Sequence, residues 1–588
     1  MTDLIRPLHS CNWRSWFLAV ASFAGLIFQA TASESEPSQI KNIPDPVSAQ
    51  NFLAVTANAH ATQAAVDVLS AGGSAVDAAI VAQLVLNLVE PQSSGIGGGA
   101  FMLYYHAADN TLYALDGRET APATAGPEHF LNTDGTPLSW REAVVGGRAV
   151  GVPGTLHLLH TAHQRFANRP WRSLFQPAIA LAEGGFNVSP RLASAIASAS
   201  DRGLRRFTPT RQYFFTENGT PLPQGYRLKN PAFATTLRRI ADDGIGPFYS
   251  GEIGHRIVDT VRSAANSPGL ITRLDLESYR TIIRQPVCQA YRGYRVCGMG
   301  PPSSGGLTVG QILGLLRHFD LRAAGSGAVG LHLVLEASRL AFADRAKYMA
   351  DSDFVSVPEA GLLNAGYLRQ RAGLIRRDSS MGKAQAGSPP KAVTALSPDN
   401  REKLPGTSHI SIVDRYGNAV SMTTTIESGF GSRLMTGGFL LNNELTDFSF
   451  LPERHGLPVA NRVEGRKRPR SSMAPTMVFD HLGQPVIVAG SPGGSRIIGY
   501  VVQALIAMLD WGMAPQQAVE MPHFINRNGP TELENEPRNQ NLQSALESLG
   551  HEVRVRRLNS GLHVIRRNPD GQLEAGVDPR REGLALGG

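Results

Sequence analysis

The bond between Gly406 and Thr407 separates two kinds of sequence. Before it, residues 378–406 are rich in Ser, Pro, Lys, Ala and Gly, which is typical of a linker or loose loop. After it comes a strand-like run, Thr407-Ser-His-Ile-Ser-Ile-Val-Asp414. Thr407 can act as a nucleophile only if the chain is cut just before it, because the cut exposes an α-amine that can accept the hydroxyl proton. The run therefore predicts a structural threonine or a precursor that makes its own active site.

The strand that begins at Thr407 is expected to form a hairpin with the next one. The segment Asp414-Arg-Tyr-Gly-Asn418 carries a Gly-Asn turn signal. If these five residues form the loop, Val413 faces Ala419, and the same register sets Thr425 opposite Thr407. A second hydroxyl there could hold the proton of the nucleophile, although a Thr-rich strand is also simply a good β-former.

A glycine-rich loop, Gly490-Ser-Pro-Gly-Gly-Ser495, lies between a predicted strand at 484–490 and a predicted apolar helix at 496–509. Free backbone N–H groups converge at such a helix start, and Gly493 and Gly494 let the backbone approach a ligand closely. The loop therefore suits a phosphate or an oxyanion. It lacks the Lys-Ser/Thr ending of a P-loop, and a plain tight turn is the alternative.

Several charged and hydroxyl side chains have the chemistry to bind the head group of an α-amino acid. Acids would bind the ammonium group, and Arg with Ser would bind the carboxylate. Each residue alone is explained more simply as a surface residue, and the sequence does not show that they meet. The candidates are Arg118, Glu427, Glu444, Asp447, Ser471 and Ser472.

Composition and motif order argue against two classes of protein. The net charge of +7 is small for 588 residues, and no basic stripe alternates with aromatic residues, so nucleic-acid binding is not expected. The glycines at 95–99 follow a predicted helix at 73–89 and precede a predicted strand at 101–105. A dinucleotide fingerprint needs the order strand, glycines, helix. We therefore predict close backbone packing there and no Rossmann site.

Residues 1–32 are predicted to be a signal peptide. Arg6 and Arg14 precede an apolar run from Trp16 to Phe28, and Ala30-Thr-Ala32 offers a small-x-small cleavage site. The run is short for a membrane span, and a retained anchor is the alternative. We expect a periplasmic or secreted protein without stable membrane insertion.

Two cysteines of the mature chain flank a predicted hairpin that turns at Arg292-Gly293. A two-residue turn pairs Tyr291 with Tyr294 and therefore Cys288 with Cys297, in the register where the chains are closest. A disulfide is plausible in an oxidising compartment, and two free thiols are the alternative.

The predicted elements also suggest a layered fold. Helices are expected at 171–184 and 331–349, and strands dominate from Thr407 to Phe450 and again in a pair at 477–480 and 484–490. Strand layers flanked by apolar helices predict stacked sheets that are covered on both faces.

Taken together, the motifs resemble those of the γ-glutamyltransferases, also called glutathione hydrolases, in the N-terminal-nucleophile hydrolase superfamily. The resemblance runs over nearly all of the mature chain, with seven motifs in the order of the family. They are the segments 90–99, 115–122, 301–306, 406–409, 441–449, 468–473 and 490–496.

The resemblance implies a four-layer αββα fold and self-cleavage before Thr407. The products would be a large subunit of residues 33–406 and a small subunit of residues 407–588, which stay together as a heterodimer. Thr407 matches the nucleophile of the family and Thr425 its activating partner. The other matches are Gly493 and Gly494 with the oxyanion-hole glycines, Arg118, Ser471 and Ser472 with the carboxylate-binding set, and Glu444 and Asp447 with the ammonium-binding pair.

The implied reaction is attack of Thr407 on the γ-carbonyl of a glutamyl amide such as glutathione. The γ-glutamyl ester would then pass to water, or to an amino acid or dipeptide, with no metal or cofactor.

Two features depart from the best-known members. Glu427 stands in place of Asn, and the stretch from Asp447 to Ser471 is shorter than in members with a substrate-covering lid and lacks their Tyr. Both also fit the related cephalosporin (glutaryl) acylases, but Arg118, Glu444 and Asp447 favour a γ-glutamyl substrate because a glutaryl group offers these acids no cation. A third hypothesis is an inactive exported protein that binds peptides or forms a scaffold, against which the intact nucleophile and glycine loop argue.

Overall fold

The computed structural model describes residues 45–393, 395–399 and 406–588. The predicted signal peptide lies outside the described residues. So does part of the predicted linker, residue 394 and residues 400–405.

A seven-stranded antiparallel sheet, which we call the nucleophile sheet, carries the strand that follows Thr407. That strand pairs on one side with Ala419–Thr425 and on the other with Leu53–Thr56. The order across the sheet is Leu584–Gly587, Leu53–Thr56, Ser408–Val413, Ala419–Thr425, Gly99–His106, Thr111–Gly117 and Ile282–Arg284.

A second seven-stranded antiparallel sheet carries the strand that leads into the glycine-rich loop. Its order is Ser48–Ala49, Leu573–Val577, His563–Arg567, Pro485–Gly490, Thr476–Phe479, Tyr294–Gly298 and Val287–Tyr291.

The two sheets stack face to face. The hydroxyl of Ser421 donates to the Ala489 carbonyl at 2.9 Å, and the Ser411 hydroxyl donates to the His563 carbonyl at 3.0 Å. Alternate residues of the nucleophile sheet face opposite ways, so Phe101 packs with the core of the second sheet and Met102 packs with helices on the outer side.

Helices cover both outer faces. Ala59–Ser70 and Ala75–Val89 contact the nucleophile sheet, whereas Gly305–Leu316 and Ile497–Leu509 contact the second sheet. The predicted four-layer αββα architecture is therefore confirmed. Within the described residues, no helix combines the length and hydropathy that a membrane span requires.

The α-helices have the following bounds: Ala59–Ser70, Ala75–Val89, Trp140–Val144, Thr155–Phe166, Gln176–Gly184, Pro190–Ala199, Thr208–Phe214, Pro231–Asp243, Gly246–Tyr249, Glu252–Arg262, Arg273–Ser278, Gly305–Leu316, Leu321–Ala324, Ala328–Tyr348, Glu359–Leu362, Ala365–Ala372, Ile497–Leu509, Pro515–Glu520 and Gln540–Ser548. The smaller sheets contain Phe186–Asn187 with Arg227–Leu228, Met435–Thr436 with Phe439–Leu440, Glu453–Arg454 with Leu457–Pro458, and the set Phe524–Ile525, Thr531–Glu534 and Val553–Arg556.

The hairpin that carries Thr407 is fixed by its loop. One carboxylate oxygen of Asp414 accepts from the N–H groups of Tyr416 and Asn418, both at 2.9 Å. The other accepts from the N–H of Ala75 at 2.8 Å, at the start of the helix that Ser74 caps. The loop therefore joins the hairpin to the outer helix layer, and the predicted register, Val413 opposite Ala419, is confirmed.

The second predicted hairpin is also confirmed. Tyr291 faces Tyr294, Cys288 faces Cys297, and the two cysteine sulfurs are bonded.

Two predicted elements are shorter than expected. The helix expected at 171–184 begins with a 3₁₀ turn, Trp171–Phe175, and becomes α-helical at Gln176, because Pro177 lacks the N–H that a continuous helix would need. In the region from Thr407 to Phe450, where strands are expected to dominate, the last strand ends at Leu440, and Glu444–Asp447 is a 3₁₀ turn. The Asn442 amide donates to the carbonyls of Gly97 and Gly151, both at 2.8 Å, and holds the chain away from strand pairing.

Candidate active site

Thr407 lies buried in front of the strand Ser408–Val413, with 3% of its surface exposed. In the uncut chain its hydroxyl donates to the carbonyl of Gly406, and its own carbonyl accepts from Arg581 Nη1 at 3.0 Å. The hydroxyl therefore contacts the peptide group that the predicted cut would break.

Thr425 brings a second hydroxyl to the same carbonyl. Ser408 pairs with Thr424, so the next position of the ladder sets Thr425 beside Thr407. Thr425 Oγ1 donates to the Gly406 oxygen at 2.9 Å and accepts from the Glu427 N–H at 2.8 Å. Because its acceptor role is filled by that N–H, its proton is directed at Gly406, where it withdraws electron density from the carbonyl carbon.

The pocket at this bond is small. Its volume is about 30 Å³, which is room for about two water molecules. It includes nearly all of the residues that the sequence singled out. The lining residues are Arg118, Gly406, Thr407, Thr425, Glu427, Glu444, Asp447, Ser471, Ser472, Met473, Gly494, Ser495 and Ile497.

Arg118 pairs directly with the two predicted ammonium-binding acids. Its Nη1 donates to Glu444 and its Nη2 to Asp447, and its Nε donates to the Pro469 carbonyl at 3.1 Å. The sequence placed the arginine and the acids on opposite sides of the head group. In the uncut chain they contact one another, so the arginine and these two acids are already ion-paired.

A third acid, Glu119, lies beside this group. One of its oxygens is 3.7 Å from Arg118 Nη1. Among the described residues, neither of its oxygens has a hydrogen-bond partner, and the same holds for one oxygen of Glu444; all three are buried. Burial, and then repulsion from Glu444, raises the pKa of the Glu119 carboxyl well above its usual value. Burial raises the pKa of Glu444 to about 7 despite its pairing with Arg118. The pocket therefore holds more carboxylate than Arg118 can neutralise, which favours a bound proton or a cationic ligand group.

Glu427 is held close to Thr425. Its Oε2 accepts from the Asn443 amide at 2.8 Å, and the residue has a φ of +75°, in the left-handed region. That conformation is uncommon for a side chain with a Cβ, and the amide of Asn443 helps to fix it by also accepting from the Ser428 N–H at 3.1 Å.

The two serines are held by groups behind the pocket. Ser472 Oγ accepts from Arg345 Nη2 at 2.6 Å, and Ser471 Oγ accepts from the Met473 N–H at 3.1 Å. The Ser471 carbonyl accepts from the Ser304 hydroxyl at 2.6 Å. Ser303-Ser304, from one of the seven motifs, thus positions the other serine pair.

The glycine-rich loop turns where the strand Pro485–Gly490 ends. Gly493 and Gly494 have φ values of +136° and +61°, and a Cβ on Gly493 would lie 2.6 Å from the Tyr500 ring. Gly494 lines the pocket, whereas Gly493 is not one of the lining residues. The loop leads into the helix Ile497–Leu509, whose first N–H groups have no partner within the helix.

Sequence reasoning missed Glu119, Asn443 and Arg345. Glu119 follows Arg118 directly and Asn443 precedes Glu444, so their position next to a candidate residue could have indicated that they belong to the site. Arg345 lies more than 100 residues from Ser472, and nothing in the sequence links the two.

One group of described side chains has the chemistry of a metal site. The ligand atoms of His332, Glu336 and His551 lie within 4.8 Å of one another. Each is hydrogen-bonded, with His332 Nδ1 2.8 Å from His551 Nε2 and Glu336 Oε1 accepting from Arg339 Nε at 2.8 Å. The guanidinium of Arg339 opposes a second cation there, and none of the four residues lines the pocket.

Comparison with known proteins places this geometry in a family context. The family model for Gamma-glutamyltranspeptidase matches residues 61–588. The "Glutathione hydrolase proenzyme" of Bacillus subtilis (strain 168) is 35% identical over 97% of this chain and 97% of its own length. The "Acylase ACY 1 proenzyme" of Pseudomonas sp. (strain V22) is 35% identical over 92% of this chain and 94% of its own.

A solved structure agrees over nearly the whole fold. The crystal structure of cephalosporin acylase from Bacillus halodurans superposes with a TM-score of 0.82 at 27% identity, over 96% of this chain and 99% of that one.

Proposed function

The chain belongs to the gamma-glutamyltranspeptidase family, and we propose that it is a γ-glutamyltransferase and glutathione hydrolase that uses Thr407 as its nucleophile. The observation that carries the proposal is the convergence of the Thr407 and Thr425 hydroxyls on the Gly406 carbonyl, at the wall of a pocket that also contains Arg118 and its acids.

The first step is self-cleavage. Thr407 Oγ1 attacks the Gly406 carbonyl carbon, while Thr425 donates to the carbonyl oxygen as negative charge develops on it. The C–N bond breaks and the hydroxyl proton passes to the nitrogen, which leaves an ester and a free α-amine. Water then hydrolyses the ester. The products are the large subunit, residues 33–406, and the small subunit, residues 407–588.

In the mature enzyme the α-amine of Thr407 accepts the hydroxyl proton as Oγ1 attacks the γ-carbonyl of the donor. The loop at Gly493 and Gly494 supplies N–H groups for the oxyanion. The proton passes to the leaving amine, and the γ-glutamyl ester is transferred to water or to the amine of an amino acid or dipeptide.

The donor head group is a zwitterion, which fits an ion pair that already exists. Its ammonium group replaces Arg118 at Glu444 and Asp447, with Glu427 nearby, and its carboxylate binds Arg118, Ser471 and Ser472. Arg118, Glu444 and Asp447 each keep a partner of opposite charge during this exchange, so the exchange leaves none of these three buried charges unpaired.

We also propose that the mature enzyme is periplasmic or secreted. The predicted signal peptide supports this, and the Cys288–Cys297 disulfide fits an oxidising compartment.

A denaturing gel of purified protein tests self-cleavage. Scaling the mass of 63.0 kDa by length gives bands of about 40 and about 20 kDa, and the small band should begin Thr-Ser-His. Thr407→Ala should stay uncut because it lacks the attacking oxygen, whereas Thr407→Ser keeps the hydroxyl and should be cut. A single full-length band for the wild type would refute the mechanism.

Acylase activity is a second candidate, because two of the similar proteins are acylases and Glu427 stands where the best-known γ-glutamyltransferases carry Asn. Comparing γ-glutamyl and glutaryl 4-nitroanilides separates the two activities. Arg118 with Glu444 and Asp447 favours the γ-glutamyl donor, and a higher kcat/KM for the glutaryl compound would reverse the order of the candidates.

A further inference from the structure

Glu119 is a buried acid beside the head-group residues of the pocket at Thr407. Its side chain has no exposed surface, and it is not one of the residues that line the pocket. Two glycines pack against it: a Cβ on Gly99 would lie 2.2 Å from Glu119 Oε2, and a Cβ on Gly151 would lie 2.9 Å from Glu119 Cβ. The carboxyl group is therefore enclosed by protein, and bulk water does not stabilise its ionised form.

The carboxyl groups of Glu119 and Glu444 converge on one nitrogen of Arg118. Arg118 Nη1 donates to Glu444 Oε1 and lies 3.7 Å from Glu119 Oε2. The second separation is too long for a hydrogen bond, so this N–H belongs to Glu444. In the part of the chain that the structure describes, no donor reaches either oxygen of Glu119 or the Oε2 of Glu444. Three buried carboxyl oxygens without a hydrogen bond at one place require an explanation.

A single proton provides that explanation. The side chains of Glu119 and Glu444 are within hydrogen-bonding reach of each other, but two ionised carboxylates have no hydrogen to share and repel each other. A proton on one of them makes it a donor to the other. Glu444 accepts from Arg118, which favours its ionised form, whereas no described donor stabilises an ionised Glu119. The proton therefore belongs on Glu119.

The other titratable groups around Glu119 do not change this assignment. Burial raises the pKa of the Tyr249 and Tyr279 phenols, and both hydroxyls donate to backbone carbonyls, at 3.0 and 2.7 Å. Arg468, which lies over the Tyr279 ring, pairs with Asp116 at 2.6 Å. These groups leave Glu119 without a donor, and burial and repulsion from the acid opposite raise the pKa of its carboxyl well above the usual value.

We propose that Glu119 is a neutral carboxylic acid in the working enzyme and that it positions Glu444 by donating a hydrogen bond to Glu444 Oε2. An enclosed site can keep a carboxylic acid neutral so that it serves as a donor. The inference rests on the proposed function, because Glu444 is there a ligand of the substrate ammonium group. When that ammonium group takes the place of Arg118, the bond from Glu119 remains and holds the Glu444 carboxylate in its orientation.

Two substitutions of Glu119 separate the hydrogen bond from the charge. Glu119→Gln keeps the shape of the side chain, is neutral at every pH and can donate an amide N–H to Glu444. Glu119→Met fills a similar volume without a donor. The measurement is the inhibition constant of L-glutamate against a 4-nitroanilide donor, as a function of pH.

We expect the Gln variant to behave like the wild type and the Met variant to differ from it. Glu119→Gln should keep the inhibition constant within about threefold, with the same pH midpoint, because one neutral donor replaces another. Glu119→Met should raise the inhibition constant about tenfold or more, as the loss of a hydrogen bond to a charged group does. Its midpoint should also move to higher pH, because Glu444 loses a bond that favours its ionised form.

An ionised Glu119 predicts a different result for the same variants. Its negative charge would attract the ligand ammonium group, so Glu119→Gln would weaken inhibition about tenfold or more. The midpoint would move to lower pH, because Glu444 would lose a repelling neighbour. Either change in Glu119→Gln would overturn the proposal. A Glu119→Met variant that matches the wild type would also overturn it, because the bond would then position nothing.

Infrared difference spectra report the proton directly. The C=O band of a protonated carboxylic acid should be present in the wild type at pH 8 and lost in Glu119→Gln. It should remain in Glu217→Gln, which changes an exposed glutamate. Identical spectra for the wild type and Glu119→Gln in this region would refute a neutral Glu119.

Two controls keep the outcomes distinct. A gel that shows complete self-cleavage establishes that a variant has folded, and Glu119→Gln with its infrared band is sufficient if Glu119→Met is not processed. If the wild type turned over no γ-glutamyl donor, the proposed function would be wrong. The infrared band would still show whether Glu119 carries the proton, so the two failures can be told apart.

Discussion

At the scale of single residues, the charges around Arg118 decide what the pocket can bind. Arg118 is shared between Glu444 and Asp447, and the carboxylate of Glu119 lies 3.7 Å away without a hydrogen bond to any residue that the structure describes. Three acids face one guanidinium. A ligand ammonium group offsets part of this excess negative charge, and a proton does so when no ligand is present, so the two compete for the same site.

This competition predicts how binding of free L-glutamate, a product, depends on pH. Burial raises the pKa of Glu444 to about 7. Below pH 7 the carboxyl is protonated and attracts the ammonium group less, and above pH 7 it is ionised. The inhibition constant of glutamate should therefore fall about tenfold between about pH 6 and pH 8, because at the lower pH the ammonium group must displace one proton from Glu444. The inhibition constant against a 4-nitroanilide donor measures this.

Glutarate is the matched control ligand, because it lacks the ammonium group. Its inhibition constant should not improve over the same range, since ionised Glu444, Glu119 and Asp447 do not attract it. If both ligands followed the same pH profile, the titrating group would act on something other than the ammonium site.

At the scale of elements, the site depends on a turn at the end of one strand and a hairpin across the sheet interface. Gly490 ends the strand Pro485–Gly490 and begins the glycine-rich loop. A Cβ at this position would lie 2.1 Å from the ring of His409, which is two residues after the nucleophile. The absence of a side chain therefore allows the second sheet to approach the nucleophile sheet at this point.

Gly490→Ala should consequently disturb both stability and self-cleavage. The added methyl group must displace a buried ring, which costs about 1–3 kcal/mol in a well-packed core. We expect a lower apparent Tm by calorimetry and slower appearance of the small band on a gel. Gly184→Ala is the control, because no atom lies within 4 Å of its added Cβ. Equal Tm values for the two variants would show that the sheets can separate at Gly490 without cost.

At the scale of the whole molecule, the proposed subunits share one sheet. The small-subunit strand Ser408–Val413 pairs with Leu53–Thr56 of the large subunit, and Ala419–Thr425 pairs with Gly99–His106. On the far side, Leu584–Gly587 of the small subunit also pairs with Leu53–Thr56. Strands of the two proposed subunits are therefore interleaved, with Leu53–Thr56 between two strands of the small subunit, and separating the subunits would break hydrogen bonds in the middle of the nucleophile sheet.

The interleaving predicts that the cut enzyme behaves as one cooperative unit. The two chains should elute together on native size exclusion even at high dilution, and they should separate in denaturant only over the range in which circular dichroism is lost. Uncut Thr407→Ala provides the reference elution volume. Separation of the chains under native conditions would contradict the shared sheet.

Local sequence rules predicted the structure correctly where the paired residues are close along the chain. The register of the Thr407 hairpin and that of the cysteine hairpin follow from loops of five and two residues, because a short loop fixes which residues face each other. The start of the helix predicted at 73–89 is also local, because Ser74 caps it.

Long-range contacts were outside the reach of these rules. Nothing local indicates that Arg118 pairs with acids more than 300 residues away, or that Asn442 ends a strand by binding two distant carbonyls. The family motifs assigned Arg118 and the acids to one site, but they did not predict that these residues pair directly with one another. That pairing depends on how charges are arranged in the folded pocket. Arg345 remained hidden because its partners are hydroxyls from other segments.

The two hydroxyls that meet at Gly406 offer a way to count the chains that have folded. On the proposed mechanism, the new amino group of Thr407 can arise only after both strands of the hairpin have taken their places. Every amino-terminal threonine in a sample is then a permanent mark that one chain once reached its native state, even if that chain later loses its structure. The ratio of those termini to total protein would give the fraction of chains that had ever folded. Activity assays and calorimetry do not record this fraction, because they measure only the present state.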